Sequence, residues 1–298
     1  MTDSSAQETF IPGYAVAAIA IVCGATLALT AVLGPLGIGI IHYRTSQSGI
    51  WQVEGNDLAN LVLMVPLLLA GGICMLAKKT ASKYLLILTP ITLMYTGLSY
   101  GVGEEYGNSA YTGNVESYFW LYLILIIGGL LLLVGTTPLF GERDAPSFGR
   151  RGLRIYVGAF ALFLLIFAGM WVSQILQVIN TGDLAGNGYT SAPVVFWTIR
   201  YLDLGFSIPL GLLGLILLLS KPKKAYSMLL LFFGFGLTTG TAVNTVALVE
   251  VLNHDPAVTG AAASGLVIFP ILGILLYVGF FYIIRDKLHM PGRKIAGK

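Results

Sequence analysis

Eight apolar runs, each about 20 residues long, constrain the fold of this chain more than any other feature. A helix of about 20 apolar residues crosses the hydrocarbon core of a bilayer, so each run predicts a transmembrane helix. Only 10% of the residues are charged, whereas soluble domains have about 25%. We therefore predict an all-α, polytopic membrane protein that forms a single integral membrane domain over residues 1–298. The eight predicted spans are 13–34, 58–77, 84–101, 117–140, 153–178, 194–219, 225–250 and 263–284.

Positive charge alternates between successive loops. Fifteen of the 17 Lys and Arg residues lie in four segments, namely 78–83, 141–154, 221–224 and the tail from Arg285. Cytoplasmic loops carry such an excess of Lys and Arg. The pattern predicts a cell (inner or plasma) membrane protein whose N- and C-termini are both cytoplasmic. The loops expected to face outward are 35–57, 102–116, 180–193 and 251–262.

The second run has a polar beginning and contains a proline. Glu54, Asp57 and Asn60 follow at a spacing of three residues, so they lie near one face of a helix. A carboxylate at the bilayer centre costs on the order of 3 kcal/mol and needs a partner, water or a proton. Pro66 removes a backbone donor and predicts a kink near Val62. The alternative is that the two acids cap the helix in the headgroup region.

The second and sixth runs resemble each other. Pro66 begins the stretch PLLLAGGICMLAK, and Pro209 begins the stretch PLGLLGLILLLSK, so each proline stands twelve residues before a lysine. The two runs hold the same place in successive groups of four. We therefore predict a parallel four-plus-four pseudo-repeat with its axis along the membrane normal. Its halves are about 13–140 and 153–284.

The sixth run contains charged residues inside an apolar stretch. Arg200, Asp203 and Ser207 form one helical stripe. We expect Arg200 to pair with Asp203, or with Asp57 across the repeat axis. Charged residues within a membrane indicate a functional site. The alternative is a structural clamp that fixes helix packing.

Polar residues lie in the outer halves of five spans, whereas the inner halves are nearly all apolar. This one-sided distribution predicts a polar cavity that opens to the outside, although polar side chains also hold helices together. The candidate residues for substrate binding or proton coupling are Glu54, Asp57, Asn60, Tyr95, Glu104, Gln177, Arg200, Asp203 and Asn244, and the helix-breaking residues are Pro66 and Pro209.

Catalytic and cofactor signatures are missing from the sequence. It has no GxSxG, Walker or CxxC motif and no histidine-rich metal pattern. We therefore predict no catalytic residue, no metal, no cofactor and no nucleic-acid partner. Cys23 and Cys74 lie in apolar runs and are expected to be packing residues. The expected partners are the lipid bilayer and a small polar solute.

Two segments, EGNDLANLVLMVPLLL and RYLDLGFSIPL, resemble a family of polytopic bacterial and archaeal membrane proteins that has no known activity. In that family an E-G-x-D-L run opens one span and a D-L-G-F-x-x-P run occurs later. The resemblance implies that Glu54, Asp57, Pro66, Asp203 and Pro209 belong to the family pattern. It implies no substrate or cofactor.

Three functions fit this sequence. The favoured one is the binding or transport of a small polar or charged solute, because proline-broken spans with acids near one end are typical of transporters. The second is a membrane-embedded enzyme that uses carboxylates. The third is a structural or assembly subunit without small-molecule chemistry.

Overall fold

The computed structural model describes residues 10–142, 144–146, 150–183, 188–221 and 223–255, together with ten positions between 270 and 284. This part of the chain forms no β-strand, and seven of its helices are long and apolar enough to cross a membrane. The described positions between 270 and 284 are helical as well. The rest of the predicted eighth span and the tail from Arg285 lie outside the described residues. The seven spans are Gly13–Leu33, Gln47–Leu76, Ala81–Val102, Val115–Leu139, Arg151–Thr181, Pro193–Ser220 and Tyr226–Leu252.

The second span begins at Gln47, and its predicted start at residue 58 is wrong. Ser46 caps the helix, since its side chain accepts a hydrogen bond from the backbone N–H of Gly49 at 3.2 Å. Gly55 then allows the helix to lie directly against the seventh span, because a Cβ at this position would be 2.4 Å from the Cα of Val246. The polar beginning of this span is therefore packed helix and not loop.

The second and sixth spans each contain a five-residue π-helical turn. The turns are Asn60–Met64 and Asp203–Ser207, and a proline follows each by two residues, Pro66 and Pro209. Proline has no backbone N–H to donate. In the π turn before Pro66, the N–H of Val65 donates to the carbonyl of Asn60, five residues earlier, instead of to the carbonyl four residues earlier as in an α-helix. The expected break in the second span is therefore a π turn.

The third span consists of two helices, Ala81–Leu86 and Pro90–Val102. The interruption lies against the seventh span, where a Cβ on Gly234 would be 2.3 Å from the Cα of Leu88. One turn further along, the hydroxyl groups of Thr92 and Thr238 form a buried hydrogen bond. The third and seventh spans are therefore in backbone contact at the centre of the molecule.

Two of the three apolar cores among the described residues hold the spans together. One joins the first four spans through residues such as Ala17, Cys23, Leu68 and Leu125. The other joins the third span to the fifth, sixth and seventh, and to the described positions of the eighth; it includes Ile87, Leu164, Leu215, Phe233 and Leu276. Both cysteines are free, and Cys23 is buried against Gly128, as expected for a packing residue. The third span contributes to both cores and so lies between them.

One end of the bundle is closed by residues 34–46 and 103–116, which we call the cap. Arg44 forms a two-point salt bridge with Glu116, donates to the carbonyl of Gly113 at 2.7 Å and lies over the ring of Tyr106. Asn114 accepts from the backbone N–H of His42 at 2.8 Å. These bonds join the two cap segments into one ordered layer.

Candidate functional site

Asp57 lies beneath the cap and is fully buried, with 0% of its surface exposed. Tyr100 reaches it from the third span, and its hydroxyl donates to Oδ1 of Asp57 at 3.4 Å. The other carboxyl oxygen, Oδ2, has no hydrogen-bond partner among the described residues. A Cβ on Gly34 would be 2.9 Å from this oxygen, so Gly34 leaves room for the carboxyl group where the first span ends.

Three tyrosines surround this acid. Tyr43 comes from the cap, Tyr100 from the third span and Tyr122 from the fourth span, and all three are buried. The hydroxyl groups of Tyr43 and Tyr122 are 3.0 Å apart, and the ring of Tyr100 makes edge contacts with both other rings. We call Asp57 and these tyrosines the first acid site.

Asp203 forms a second acid site inside the π turn of the sixth span. It is 6% exposed, and its Oδ2 accepts a hydrogen bond from the indole nitrogen of Trp171 at 2.9 Å. The hydroxyl group of Tyr95, on the third span, also lies beside this carboxyl group. The fifth, third and sixth spans therefore meet at Asp203.

The third span contacts both acids. Tyr95 lies at Asp203 and Tyr100 lies at Asp57. Five residues rotate a helix by about 140°, so these two tyrosines point to nearly opposite sides of the same helix. The third span therefore stands between the two acid sites and supplies one hydroxyl group to each.

Arg200 does not form the expected ion pair. The salt bridges among the described residues are Arg44–Glu116 and Lys83–Asp144. Arg200 instead donates to the side chain of Gln174 and to the carbonyl of Phe196, and its guanidinium group lies 4.2 Å from the ring centroid of Trp171. Aromatic rings and the Gln174 amide therefore contact the guanidinium group of Arg200. Trp171 lies between Arg200 and Asp203, because its ring contacts the first and its N–H donates to the second.

The other predicted residues lie in different places. Asn60 is buried one turn from Asp57, and Glu54 is half-buried one turn in the other direction. Gln177 is half-buried on the fifth span, one turn beyond Gln174. Asn244 donates to the carbonyl of Gly240 on the seventh span. The structure thus brings Asp57 and Asn60 together, but it places Gln177 and Asn244 on other helix surfaces.

Two acids of the cap are buried and bonded to backbone. Glu104 accepts from the backbone N–H of Arg44. Glu105 accepts from the N–H groups of Val194 at 2.8 Å and Val195 at 3.3 Å, and so caps the sixth span at its N-terminus. Glu105 therefore ties the cap to the sixth span.

The stability of the cap is expected to fall as pH rises. Burial raises the pKa of Glu104 to about 7, although the backbone N–H and the charge of Arg44 act in the opposite direction. Its unfolded value is about 4.3. A raised pKa in the folded state contributes stability that is fully present below the unfolded value and lost as pH passes through about 7. Hydrogen exchange of the cap amides should therefore be slower at about pH 5 than at about pH 8, after correction for intrinsic exchange.

Glu104→Gln provides the control, because its amide oxygen can still accept from Arg44 but cannot ionise. The variant is expected to exchange with little dependence on pH. An unchanged pH dependence in Glu104→Gln would contradict this role for Glu104.

Sequence reasoning missed several of these groups. Tyr100 was noted as a polar residue of the third span, but Tyr43 and Tyr122 resemble the tyrosines of an interfacial aromatic belt, and nothing in the sequence separates them from ordinary anchors. Trp171 lies in an apolar run. At the opposite end of the bundle, Lys83 is 9% exposed and forms a 2.7 Å salt bridge with Asp144. The only signal was the presence of two acids, Glu142 and Asp144, within a basic loop.

The described residues contain no group of three His, Cys, Asp or Glu side chains that could share a metal ion. A cavity of about 430 Å³ lies in the cap beside Tyr43.

Comparisons of the chain with protein-family models, with curated proteins and with solved structures give no match. The family resemblance therefore stays an expectation, and the function must be inferred from the chemistry of the two acid sites.

Proposed function

We propose that this multi-pass membrane protein binds and transports a small polar or charged solute, with Asp57 and Asp203 as its solute-binding or proton-binding groups. The observation that carries the proposal is the placement of both acids. Asp203 is the first residue of one π-helical turn, and Asp57 lies within one turn of the other. Both acids are buried, and both spans contain a proline. π turns occur frequently at functional sites, and discontinuous helices form the substrate sites of many transporters.

The arrangement of the acids favours rearrangement over a static clamp. Asp57 has one carboxyl oxygen without a partner among the described residues, and Asp203 is held by Trp171 and not by a direct cation. Buried ionised groups without a paired charge are costly. Both sites can therefore lower their free energy by taking up a proton or a cation.

We also propose the four-plus-four pseudo-repeat. With Pro66 and Pro209 in register, Asn60 corresponds to Asp203 and Asp57 corresponds to Arg200. The contact of the second span with the seventh then has a counterpart in the contact of the third with the sixth. Such pairs of contacts are expected for halves related by an axis along the membrane normal.

The axis would pass between the third and seventh spans. Leu88 meets Gly234, and Thr92 meets Thr238, so both pairs have one sequence offset, which is three residues longer than the offset between Pro66 and Pro209. Residues next to a two-fold axis contact their own counterparts, and here each residue meets one that lies within a helical turn of its counterpart. The proposed orientation has the cap outside a cell membrane and both termini in the cytoplasm, in agreement with the basic loops at the other end.

Two-sided cysteine accessibility tests this function. In a variant with Cys23→Ala and Cys74→Ala, single substitutions Asn60→Cys and Ser207→Cys place thiols beside the two acid sites. A membrane-impermeant thiol reagent is then applied from each side at about pH 5 and about pH 8. We expect the labelled side to change with pH, because protonation of the acids alters the balance between open states.

Val62→Cys is the matched control, since Val62 is on the same span but 65% exposed on the outer surface of the bundle, where lipid would cover it. It should not react with an aqueous reagent from either side. Labelling of the two site cysteines from one side only, at both pH values, would contradict transport and favour a closed-bottom binding site. If neither site cysteine reacts from either side, the two acids are structural groups that fix helix packing.

A further inference from the structure

The cap cavity adjoins the first acid site at Tyr43. Its lining includes Pro35, His42, Tyr43 and Thr112, so it has both apolar and polar walls. Tyr43 is only 3% exposed, which places most of its side chain beneath the cavity surface. The cavity and the first acid site therefore share one residue, and that residue is a tyrosine.

Two hydroxyl contacts lie between the cavity and Asp57; ring contacts join them, and no hydrogen bond does so among the described residues. The Tyr43 hydroxyl is 3.0 Å from that of Tyr122. The Tyr100 ring lies 5.5 Å and 6.2 Å, between ring centroids, from the rings of Tyr43 and Tyr122. The Tyr100 hydroxyl then donates to Asp57 at 3.4 Å. Each phenolic hydroxyl can both donate and accept a hydrogen bond, which is the property that a proton relay requires.

The carboxyl group at the end of this series is suited to receive a proton. Asp57 is fully buried, its Oδ2 is unpartnered, and no ion pair involves it among the described residues. The titratable groups that act on it are Glu54 on its own span, Tyr43 in the cap, Tyr100 on the third span and Tyr122 on the fourth. None of these is a cation, so a proton is the simplest neutralising ligand.

We propose that the cap cavity is the route by which protons from the aqueous phase reach Asp57, with Tyr43, Tyr122 and Tyr100 as the relay. A hydronium ion in the cavity gives a proton to the Tyr43 oxygen as Tyr43 passes its own proton on. Tyr100 finally gives its hydroxyl proton to Asp57, and its hydroxyl must then move from Asp57 to the Tyr43–Tyr122 pair to be reprotonated there. One proton is transferred, and every tyrosine ends neutral.

This inference deepens the proposed function and rests on it, since it assigns a proton as the ligand of Asp57. Its test needs no movement of the spans. Infrared spectroscopy of the intact protein in lipid detects the carbonyl stretch of a protonated carboxyl group, and transfer into D₂O shifts that band as the proton is exchanged. We expect a band that disappears in Asp57→Asn and persists in Asp203→Asn.

The relay is tested by the rate of this exchange. Tyr43→Phe keeps the ring but removes the first hydroxyl, and it is expected to slow the shift of the Asp57 band by about tenfold or more. Tyr14→Phe is the control, because Tyr14 is 73% exposed and lies at the end of the first span opposite to Gly34, which is beside Asp57. It should exchange at the wild-type rate.

Two results would overturn the inference. One is the absence of an Asp57 band in the wild-type protein, and the other is an exchange rate in Tyr43→Phe equal to that of Tyr14→Phe. A slow exchange in Tyr43→Phe, found together with cysteines that never change their labelled side, would support the relay and contradict only transport.

Discussion

Replacing Gly234 with alanine is expected to destabilise the protein by about 3 kcal/mol, at the upper end of the range for overpacked cores. The new Cβ would lie 2.3 Å from the Cα of Leu88 and 2.6 Å from its carbonyl oxygen. Both are backbone atoms, so no side-chain rotation relieves the clash, and the third and seventh spans must separate. Thermal unfolding of the solubilised protein should show a clearly lower Tm.

The matched control is Gly158→Ala on the fifth span, where a Cβ would meet no atom within 4 Å. It removes a flexible residue from a helix and should leave the Tm unchanged or raise it slightly. Equal Tm values for the two variants would contradict the direct contact of the third and seventh spans.

Replacing Trp171 with phenylalanine is expected to cost about 1–3 kcal/mol. The variant keeps an aromatic ring beneath Arg200 but removes the N–H group that donates to Asp203 at 2.9 Å. Since Asp203 is 6% exposed, water cannot easily replace the lost donor. Thermal unfolding again provides the measurement.

A double-mutant cycle with Asp203→Ala isolates this bond. The effect of Trp171→Phe should be much smaller when Asp203 is already absent. Trp120→Phe is the control, because Trp120 is 46% exposed, and it should change stability by less than about 0.5 kcal/mol. Additive effects of Trp171→Phe and Asp203→Ala would show that the two side chains are not coupled.

The sequence was a good guide to the spans, because the thickness of the bilayer and the need to satisfy every backbone group leave few alternatives. The sixth and seventh predicted spans, 194–219 and 225–250, nearly coincide with the helices Pro193–Ser220 and Tyr226–Leu252. The second span was misjudged because its beginning is polar. That segment packs against Val246, which is distant in sequence, and the local signal for its start is the capping residue Ser46.

The acids of the candidate site could be predicted, but their partners could not. Asp57 and Asp203 stood out as charges at the edge of or within apolar runs. Arg200 was the obvious partner for Asp203 by helical spacing, yet Trp171 takes that place. Each acid is contacted by a tyrosine of the third span. These contacts depend on which helices are neighbours, and the composition of the spans does not determine which helices are neighbours.

The central claim is that the protein transports a solute by changing between two open states. Distances between spin labels test it most directly, because such a change is expected to move the second and sixth spans, which contain Asp57 and Asp203, relative to each other. One pair, Gln52→Cys and Tyr201→Cys, lies towards the cap; the other, Ile73→Cys and Ile216→Cys, lies towards the opposite end, and all four positions are exposed. Between about pH 5 and about pH 8 we expect one distance to lengthen as the other shortens. Distance distributions that are identical at both pH values for both pairs would contradict the account.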